Sequence, residues 1–513
     1  MKKATFIKNA FILTATSLLL RTIGIFFRIY MSNKVGAEGM GLYQLIFSIY
    51  VLGSTFATSG ISTAVTRLVA DELVCGTPKS VRHILHRAIA LSLLIGAAST
   101  ALIFFGADII SAYWIKDMRA VPALKILCFS LPSMGVSSCL RGYFIARRKV
   151  GNPSRAQILE QAVRIAVVML LIDRFASMGI AYACMAVMIG DTVAEFASCG
   201  HMALGYFLDR RRLKKESFPS RSPKPAYPVV RRLLSIAAPI TAGRYLNSIL
   251  RTIENILVPS CLAKYTSSKE TGLSQFGMLK GMAMPLIFFP ASFLNALSTL
   301  LVPEISSAAA LGHKGTVNRA VKHTLHITLL ASILISGVFT VFAKEFGLLL
   351  YGSEEVGFYL QVLAPLTPIM YLESVVDGIL KGLNQQVSSL KYSVADSTIR
   401  IVLIFFLVPV RGMEGFLFIM VLSNIFTSFL NLHRLLTVTG VKLAWGQWIL
   451  KPILAITTAG AVALLLGRFL PFVHLSMLVW LIAGIACLCL IYGILLPLLG
   501  CITRDDLHRS VSH

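Results

Sequence analysis

Basic side chains interrupt long apolar stretches of this sequence at regular spacing. Arg21 and Arg28 are seven residues apart in one stretch, Arg244 and Arg251 are seven apart in another, and Lys280 lies in the next. Residues at this spacing share one face of an α-helix. If these faces meet in a wet cavity, they suit phosphate or pyrophosphate, to which arginine donates in bidentate fashion. The alternative is that the cations snorkel to the membrane surface or pair between helices.

Acidic side chains share the apolar stretches with these cations. Three acid–base pairs four residues apart predict salt bridges along one helix: Glu160 with Arg164, Asp377 with Lys381, and Asp396 with Arg400. The complete candidate ion-binding or salt-bridge network consists of Glu160, Arg164, Asp191, Glu195, Glu254, Asp377, Asp396 and Arg400.

Two alternatives stay open for the remaining acids of this network. Glu254 is one turn from Arg251 and is expected to neutralise it. Asp191 and Glu195 have no basic neighbour in the sequence, so they either bind a coupling cation or pair with a cation on another helix.

Signatures of covalent chemistry are missing from the sequence. It contains no GxxxxGK[ST] phosphate loop, no HExxH pair and no nucleophile elbow. The nine cysteines form no CxxC pair, which argues against a disulfide framework or a zinc site. We therefore expect no catalytic residue, no metal and no cofactor.

An all-helical integral membrane protein must position these residues. The chain has 513 residues, 56% hydrophobic and 14% charged, and a mean hydropathy of +0.76, too apolar for a soluble domain. A helix needs ~20 apolar residues to cross the hydrocarbon layer, and the segments lack the alternation of a membrane barrel. We predict about fourteen transmembrane helices of roughly this length. They cover residues 5–31, 40–69, 84–113, 119–147, 155–173, 178–208, 231–260, 275–309, 319–350, 356–383, 390–409, 412–438, 447–469 and 475–499.

The lysines and arginines behind the formal net charge of +25 are concentrated in alternate loops. Every second connection is rich in lysine and arginine, most of all residues 209–227, whereas the intervening loops hold one or two cations each. This is the positive-inside pattern, and it predicts a multi-pass protein of the bacterial inner membrane with both termini cytoplasmic. It also accounts for the charge without nucleic acid, and it favours contact with anionic membrane lipids.

An internal duplication organises the chain. Shifting the sequence by 236 positions matches Gly41 to Gly277, Pro132 to Pro368, and Glu160 to Asp396, across six predicted helices. Each copy crosses the membrane six times, an even number, so both copies enter it from the same side. The two six-helix lobes are therefore expected to be related by a pseudo-two-fold axis along the membrane normal. We predict an N-terminal lobe at 1–208, a basic cytoplasmic linker at 209–227, a second lobe at 228–440, and helices 13 and 14 with a cytoplasmic tail at 441–513.

Several stretches resemble a known family. Residues 20–42 (LRTIGIFFRIYMSNKVGAEGMGL), 59–72 (SGISTAVTRLVADE), 140–144 (LRGYF) and 277–307 (GMLKGMAMPLIFFPASFLNALSTLLVPEISS) resemble the stage V sporulation protein B branch of the multidrug/oligosaccharidyl-lipid/polysaccharide exporter superfamily. The resemblance implies a fourteen-helix fold of two lobes plus a terminal pair. It also implies flipping of lipid-linked sugars, with Arg21 and Arg28 in a central cavity, although their spacing is one residue longer than in the related lipid II flippases.

The leading hypothesis is therefore a flippase or exporter for an undecaprenyl-pyrophosphate-linked glycan, such as a peptidoglycan precursor, that works by alternating access. A coupling cation or the membrane potential would drive it. One alternative is a cation-coupled multidrug exporter of the same fold, which requires an acidic cavity. The other is an integral membrane glycan polymerase or ligase, which requires a large external catalytic loop.

Overall fold

The computed structural model describes residues 3–58, 60–75, 77–213, 228–469 and 477–501. These residues form α-helices with short π-helical and 3-10 segments, and the described part of the chain contains no strand. The chain divides into two compact units, residues 1–277 and 278–513. The tail at 502–513 and most of the predicted linker, 214–227, lie outside the described residues.

The first unit holds the first predicted lobe together with two further helices. Its described helices are α1 (Lys3–Thr58), α2 (Ile61–Cys75), α3 (Pro78–Ile109), α4 (Val121–Leu127), α5 (Ser130–Ala146), α6 (Gly151–Ala176), α7 (Ile180–Leu213), α8 (Val229–Thr266) and α9 (Lys269–Phe276). A π-helical segment, Ile110–Ile115, continues α3, and a 3-10 turn, Met118–Ala120, precedes α4.

The second unit begins at residue 278, just after α9. A π-helical segment, Gly277–Ala283, leads into its described helices: α10 (Met284–Ala310), α11 (Lys314–Val341), α12 (Ala343–Tyr351), α13 (Glu354–Leu363), α14 (Thr367–Gly382), α15 (Gln386–Thr439), α16 (Lys451–Phe469) and α17 (Met477–Leu498). A 3-10 turn, Ala364–Leu366, joins α13 to α14, and a π-helical segment, Gly446–Leu450, precedes α16.

Ten helices in the described part of the chain are long and apolar enough to span a bilayer. The multi-pass, all-helical prediction is confirmed, whereas the count of fourteen stays a prediction. Two of the ten are unusually long because each consists of two helices joined at a kink, where the backbone leaves helical geometry: at Gly36 (φ 77°) in α1 and at Gly412 (φ 58°) in α15. Helices α6 and α8 are also long, but ionisable residues interrupt them.

The break in α1 is held from both sides by ion pairs within the first unit. Before Gly36, the Lys34 ammonium lies 2.7 Å from Asp173 at the end of α6. After it, Glu38 accepts from the Arg119 guanidinium at 2.7 Å. The two ion pairs thus connect the residues on either side of the bend to two other elements.

Equivalent contacts recur in both halves and support the duplication. In the first unit the Thr100 hydroxyl donates to the Cys128 carbonyl at 2.8 Å, and in the second the Ser336 hydroxyl donates to the Ala364 carbonyl at 2.8 Å. Both donor and acceptor are shifted by the same 236 positions as the sequence repeat. The two halves thus pack their third and fourth predicted helices in the same register.

Two repeat-equivalent glycines touch each other within the first unit. A Cβ built on Gly41 would lie 2.2 Å from the Leu273 carbonyl oxygen, and one on Gly277 would lie 2.0 Å from the Ala37 carbonyl oxygen and 2.6 Å from the Gly41 nitrogen. Leu273 is the repeat equivalent of Ala37. The contact is thus reciprocal, as in an isologous two-fold interface, and requires glycine on both sides.

The terminal pair of helices packs on the second unit. The Tyr492 hydroxyl of α17 donates to the Leu330 carbonyl of α11 at 3.0 Å. The Lys451 ammonium at the start of α16 donates to the Leu499 carbonyl at 2.7 Å, so it caps the end of α17. These bonds and the apolar cluster around Leu488 fix α16 and α17 to α11.

Candidate functional site

The predicted cavity arginines of α1 lie in its first half. Arg21 is exposed and Arg28 is half-buried, and two helical turns separate them on a stretch whose other residues are mostly apolar. The described residues provide neither arginine with an ion pair or hydrogen bond, although Arg28 is within electrostatic range of Tyr43.

Helix α8 carries the other predicted pair and packs against the second half of α1. The Thr252 hydroxyl donates to the Ser48 carbonyl at 3.3 Å, and the Tyr245 and Phe56 rings lie 4.3 Å apart. Thr252 is buried in this contact, whereas the neighbouring Arg251 is exposed. The packing therefore turns the arginine side of α8 away from its interface with α1.

None of these four arginines is neutralised by a protein group in the part of the chain that the structure describes. Arg244 and Arg251, like Arg21 and Arg28, take part in no ion pair there. The expected neutralisation of Arg251 by Glu254 does not occur: the Glu254 side chain is buried with 3% exposure and has another interaction. The first unit thus carries four uncompensated cations on predicted membrane-spanning segments.

Lys280 belongs to the second unit and lies in the π-helical segment Gly277–Ala283. Its side chain is half-buried, and its ammonium lies 5.7 Å from the centre of the Phe416 ring. This distance fits a cation–π contact, which stabilises a buried cation without an acid. Lys280 also makes a further interaction, so it is not equivalent to the four arginines.

The acids of the first unit cluster around one arginine. The Arg164 guanidinium lies 2.9 Å from Glu160 on its own helix, as the four-residue spacing predicts, and 2.5 Å from Asp191 on α7. The sequence offered no partner for Asp191, because the cation comes from a neighbouring helix. The Asp191 side chain is 8% exposed, so this pair joins α6 to α7 inside the unit.

Glu195, unlike Glu160 and Asp191, forms no ion pair with Arg164. Its side chain is buried with 7% exposure, and within the described residues it makes no hydrogen bond or ion pair. Glu160, Asp191, Arg164 and Arg141 are all within electrostatic range of it. A buried carboxylate with so little direct compensation is energetically costly.

Arg141 is a site residue that sequence analysis did not single out. It lies inside α5, within the predicted helix at 119–147, and its buried Nε has no hydrogen-bond partner in the described structure. The next two residues of the chain with large side chains, Tyr143 and Phe144, are fully buried in the packed helix. Arg141 lies within electrostatic range of Glu195 on α7.

The acids of the second unit are paired more simply. Arg400 lies 3.4 Å from Asp396, which also accepts from the Ser423 hydroxyl at 2.6 Å. The Asp377 carboxylate lies 2.5 Å from the Lys381 ammonium, as its spacing predicts. Across the described residues, no cluster of three or more His, Cys, Asp or Glu side chains is arranged to hold a metal ion.

The second unit also contains an apolar cavity of about 920 Å³ that the sequence did not indicate. Helices α11, α14, α15 and α16 line it, together with Trp445 and Trp448 from the connection before α16. Its wall is almost entirely hydrocarbon, with Leu329, Ile369 and Phe429 among the lining residues. A site of this size and chemistry suits an alkyl or isoprenoid chain.

Comparison with known proteins places the chain in a family. A family model described as polysaccharide biosynthesis protein matches residues 6–309, and a second, described as MatE, matches residues 239–406. Stage V sporulation protein B of Bacillus subtilis (strain 168) is 26% identical over 511 residues, which cover 99% of this chain and 98% of that protein. The lipid II flippase MurJ of the same organism is 23% identical over 429 residues, covering 77% of this chain and 75% of that protein.

Solved structures agree on the fold. The lipid II flippase MurJ in an inward closed conformation matches with a TM-score of 0.70 at 14% identity, covering 98% of this chain and 100% of that chain. An inward-facing multidrug resistance MATE family transporter of the MOP superfamily matches with a TM-score of 0.64 at 13% identity, covering 83% and 98%. The exporter-superfamily resemblance carried by the sequence motifs is confirmed, and this multi-pass membrane chain belongs to the polysaccharide biosynthesis protein family.

Proposed function

We propose that this chain moves a negatively charged, lipid-linked glycan across the bacterial cell membrane by alternating access, without catalysing a covalent reaction. The observation that carries the proposal is the set of four arginines, Arg21, Arg28, Arg244 and Arg251, which have no acid partner in the described part of the chain. A charge at bilayer depth costs at least ~2.5 kcal/mol. An anionic headgroup in a wet cavity offsets that cost.

The hydrogen-bond donors of the four arginines indicate the chemistry of the cargo. A guanidinium group presents parallel N–H donors that fit a phosphate or pyrophosphate group. The family and the flippase relatives support an undecaprenyl-pyrophosphate-linked glycan, such as a peptidoglycan precursor. Lys280 is the proposed fifth cation for the headgroup, and the apolar cavity of the second unit is the proposed site for part of the lipid tail.

The polar cluster of the first unit is the proposed energy-coupling site. Glu195 is buried beside Arg141 and the Arg164–Asp191 pair, so its protonation would change the charge balance of α5, α6 and α7 together. We infer that uptake of a proton or another monovalent cation at Glu195 biases the transport cycle. The membrane potential is the alternative source of energy.

The topology of the proposal places the lysine- and arginine-rich ends on the cytoplasmic side, with both chain termini there, because of the positive-inside pattern. In this orientation the arginines would receive the cargo from the leaflet in which it is made. A polymerase or ligase is disfavoured, since the connections between described helices are short.

A reconstitution assay tests the arginine proposal. Purified chain in liposomes should translocate a fluorescent pyrophosphoryl polyprenyl disaccharide, read as protection of the label from an added membrane-impermeant quencher. Arg21→Ala and Arg251→Ala should each reduce the rate at least ten-fold, since one charge-assisted hydrogen bond contributes about 1.5–3 kcal/mol. Arg155→Ala, at an exposed position near the start of α6, is the matched control and should leave the rate unchanged.

The same liposomes separate the proposal from its main rival. A cation-coupled multidrug exporter of this fold would transport a cationic dye such as ethidium, and the buried acids of the first unit are the feature that favours this reading. Dye transport without transport of the pyrophosphoryl lipid would overturn the proposal. So would full lipid transport by both arginine variants.

A further inference from the structure

An exposed basic stripe marks the start of α3. Lys79, Arg82, His83, His86 and Arg87 recur at intervals of three and four residues, and all five side chains are exposed. Residues at this spacing lie on one face of a helix. These are the only basic residues of α3, which otherwise consists largely of apolar residues.

The stripe lies next to the part of α3 that can cross the bilayer. Residues 88–107 contain no charged side chain, and these 20 residues have the length of one hydrocarbon crossing. With its π-helical continuation, α3 has 38 residues and is about 57 Å long, which exceeds the hydrocarbon thickness of ~30 Å. The stripe therefore lies at the level of the lipid headgroups.

Packing holds this basic face in place. On the opposite face of the same turns, Val81, Ile84 and Leu85 are buried in the core of the first unit. The Thr77 hydroxyl accepts from the Ser80 N–H at 3.2 Å and caps the helix. The stripe is thus an ordered surface rather than a group of cations on a loop.

Acids at this end of the first unit are already engaged. Asp71 is paired with Arg232 at 3.4 Å. Asp209 is 5% exposed, accepts from the Tyr143 hydroxyl at 2.8 Å and is paired with Arg147 and Lys149.

The stripe itself is left without acid partners. Within the described residues, Lys79, Arg82 and Arg87 form no ion pair. Arg210 of α7 adds to their charge, because it and Arg82 are both within electrostatic range of Tyr206.

The second unit repeats the pattern on the equivalent helix, α11. Three positions of the stripe, His83, His86 and Arg87, correspond under the 236-residue shift to Arg319, Lys322 and His323. Arg319 and Lys322 are exposed, and His323 is half-buried. A positive-inside bias requires cations near the membrane but does not require them at the same three positions of two helices.

We propose that the stripe of α3, and its counterpart on α11, bind the phosphate groups of anionic phospholipid headgroups in the leaflet that they face. The partner is the bulk anionic lipid of the membrane, which is distinct from the transported cargo. Each lysine or arginine near an anionic surface strengthens such binding by about five-fold, the equivalent of about 1 kcal/mol. The two stripes fix the depth of each unit at its basic end.

Lipid retention measures this directly. Full-length protein is reconstituted in vesicles of phosphatidylcholine and phosphatidylglycerol at a 4:1 ratio in both leaflets, re-extracted in mild detergent, and its bound lipids are quantified by mass spectrometry. Wild type should retain phosphatidylglycerol above its share of the vesicle. Lys79→Gln/Arg82→Gln/Arg87→Gln should lower this excess at least three-fold, and 0.5 M salt should lower it in wild type.

A control at the opposite end of the same unit keeps the test specific. Lys116, Lys264 and Lys269 are exposed, and Lys116 directly follows the π-helical continuation of α3. The triple substitution of these lysines by glutamine removes the same charge and should lower the excess clearly less than the α3 variant does, because these lysines are spread over three elements and form no stripe on one helix face. Equal retention by the α3 variant and wild type, or equal loss in the control, overturns the proposal.

Two further variants cover a failure of the triple variant to fold. Arg82→Gln and Arg87→Gln should each lower retention by a smaller factor, whereas Arg82→Lys/Arg87→Lys should keep it. Loss in the lysine variant would mean that a structural role, not charge, was measured. Because lipid retention does not depend on translocation, this result is independent of whether the proposed transport function holds.

Discussion

The reciprocal contact between Gly41 and Gly277 leads to a stability prediction. Replacing Gly277 by alanine would put a methyl group 2.0 Å from the Ala37 carbonyl oxygen, whereas ordinary contact begins at 3.4 Å. The backbones must therefore separate by about 1.4 Å, or the methyl group must displace the π-helical turn. Overpacking of this kind costs about 1–3 kcal/mol, only partly offset by the helix propensity of alanine.

Unfolding of the purified full chain in mixed detergent measures this cost. Gly277→Ala and Gly41→Ala should each lower the free energy of unfolding by about 1–3 kcal/mol. Because both methyl groups would open the same helix crossing, the double variant should cost less than the sum of the two single variants.

Gly24→Ala is the matched control for these variants. It lies in α1, and a Cβ at that position would meet nothing within 4 Å. It should be neutral or stabilising by up to about 1 kcal/mol. If Gly277→Ala were as stable as Gly24→Ala, the close backbone approach inferred from the structure would be wrong.

Three other perturbations follow from the contacts described above. Asp209→Asn removes a buried carboxylate from Tyr143, Arg147 and Lys149 and should cost about 3–5 kcal/mol in unfolding free energy, because the lost partner is buried. Glu195→Gln should leave the fold intact but abolish the response of transport to an imposed proton gradient in liposomes. Ala461→Trp, which fills part of the apolar cavity, should slow transport of a long-chain lipid substrate more than that of a short-chain analogue.

Each of these has a matched control in the chain. Asp173→Asn removes an exposed partner of Lys34 and should lower the free energy of unfolding by less than about 1 kcal/mol. If Asp209→Asn cost no more than this, the inference that burial strengthens the Asp209 interactions would be wrong. Glu270→Gln, at an exposed acid of α9, should preserve the gradient response that Glu195→Gln loses. Ala97→Trp, on an exposed face of α3, should slow both lipids equally if at all, and a chain-length effect there would contradict a specific tail site.

Local signals in the sequence were sufficient for much of the architecture. Apolar segments of bilayer length predicted the helices, and the four-residue spacing of Glu160 and Arg164 predicted their ion pair. The predicted break between residues 31 and 40 contains the non-helical Gly36, and the predicted break before residue 412 lies next to the non-helical Gly412. Boundaries were less accurate in the predicted helix 40–69, which the structure divides between α1, ending at Thr58, and α2, beginning at Ile61.

Features that depend on tertiary contacts could not be read from the sequence. Asp191 finds Arg164 on another helix, and no spacing rule along one helix reveals that distance. Arg141 lies within the predicted helix 119–147, but the sequence does not show whether its side chain is buried or which acids lie near it. The apolar cavity combines four helices that are distant in the sequence, and its lining residues are the same leucines and isoleucines that fill any core.

The apolar cavity has an energetic consequence for the order of events in transport. The cavity is open to its surroundings rather than enclosed, and its lining is almost entirely hydrocarbon. In a bilayer, hydrocarbon chains of ordinary lipids are therefore expected to fill it between cycles, because exposing this apolar surface to water is unfavourable. A polyprenyl chain that enters the cavity then displaces another hydrocarbon chain, so its tail contributes little net binding free energy. Discrimination between cargo and ordinary lipid therefore has to come from the headgroup.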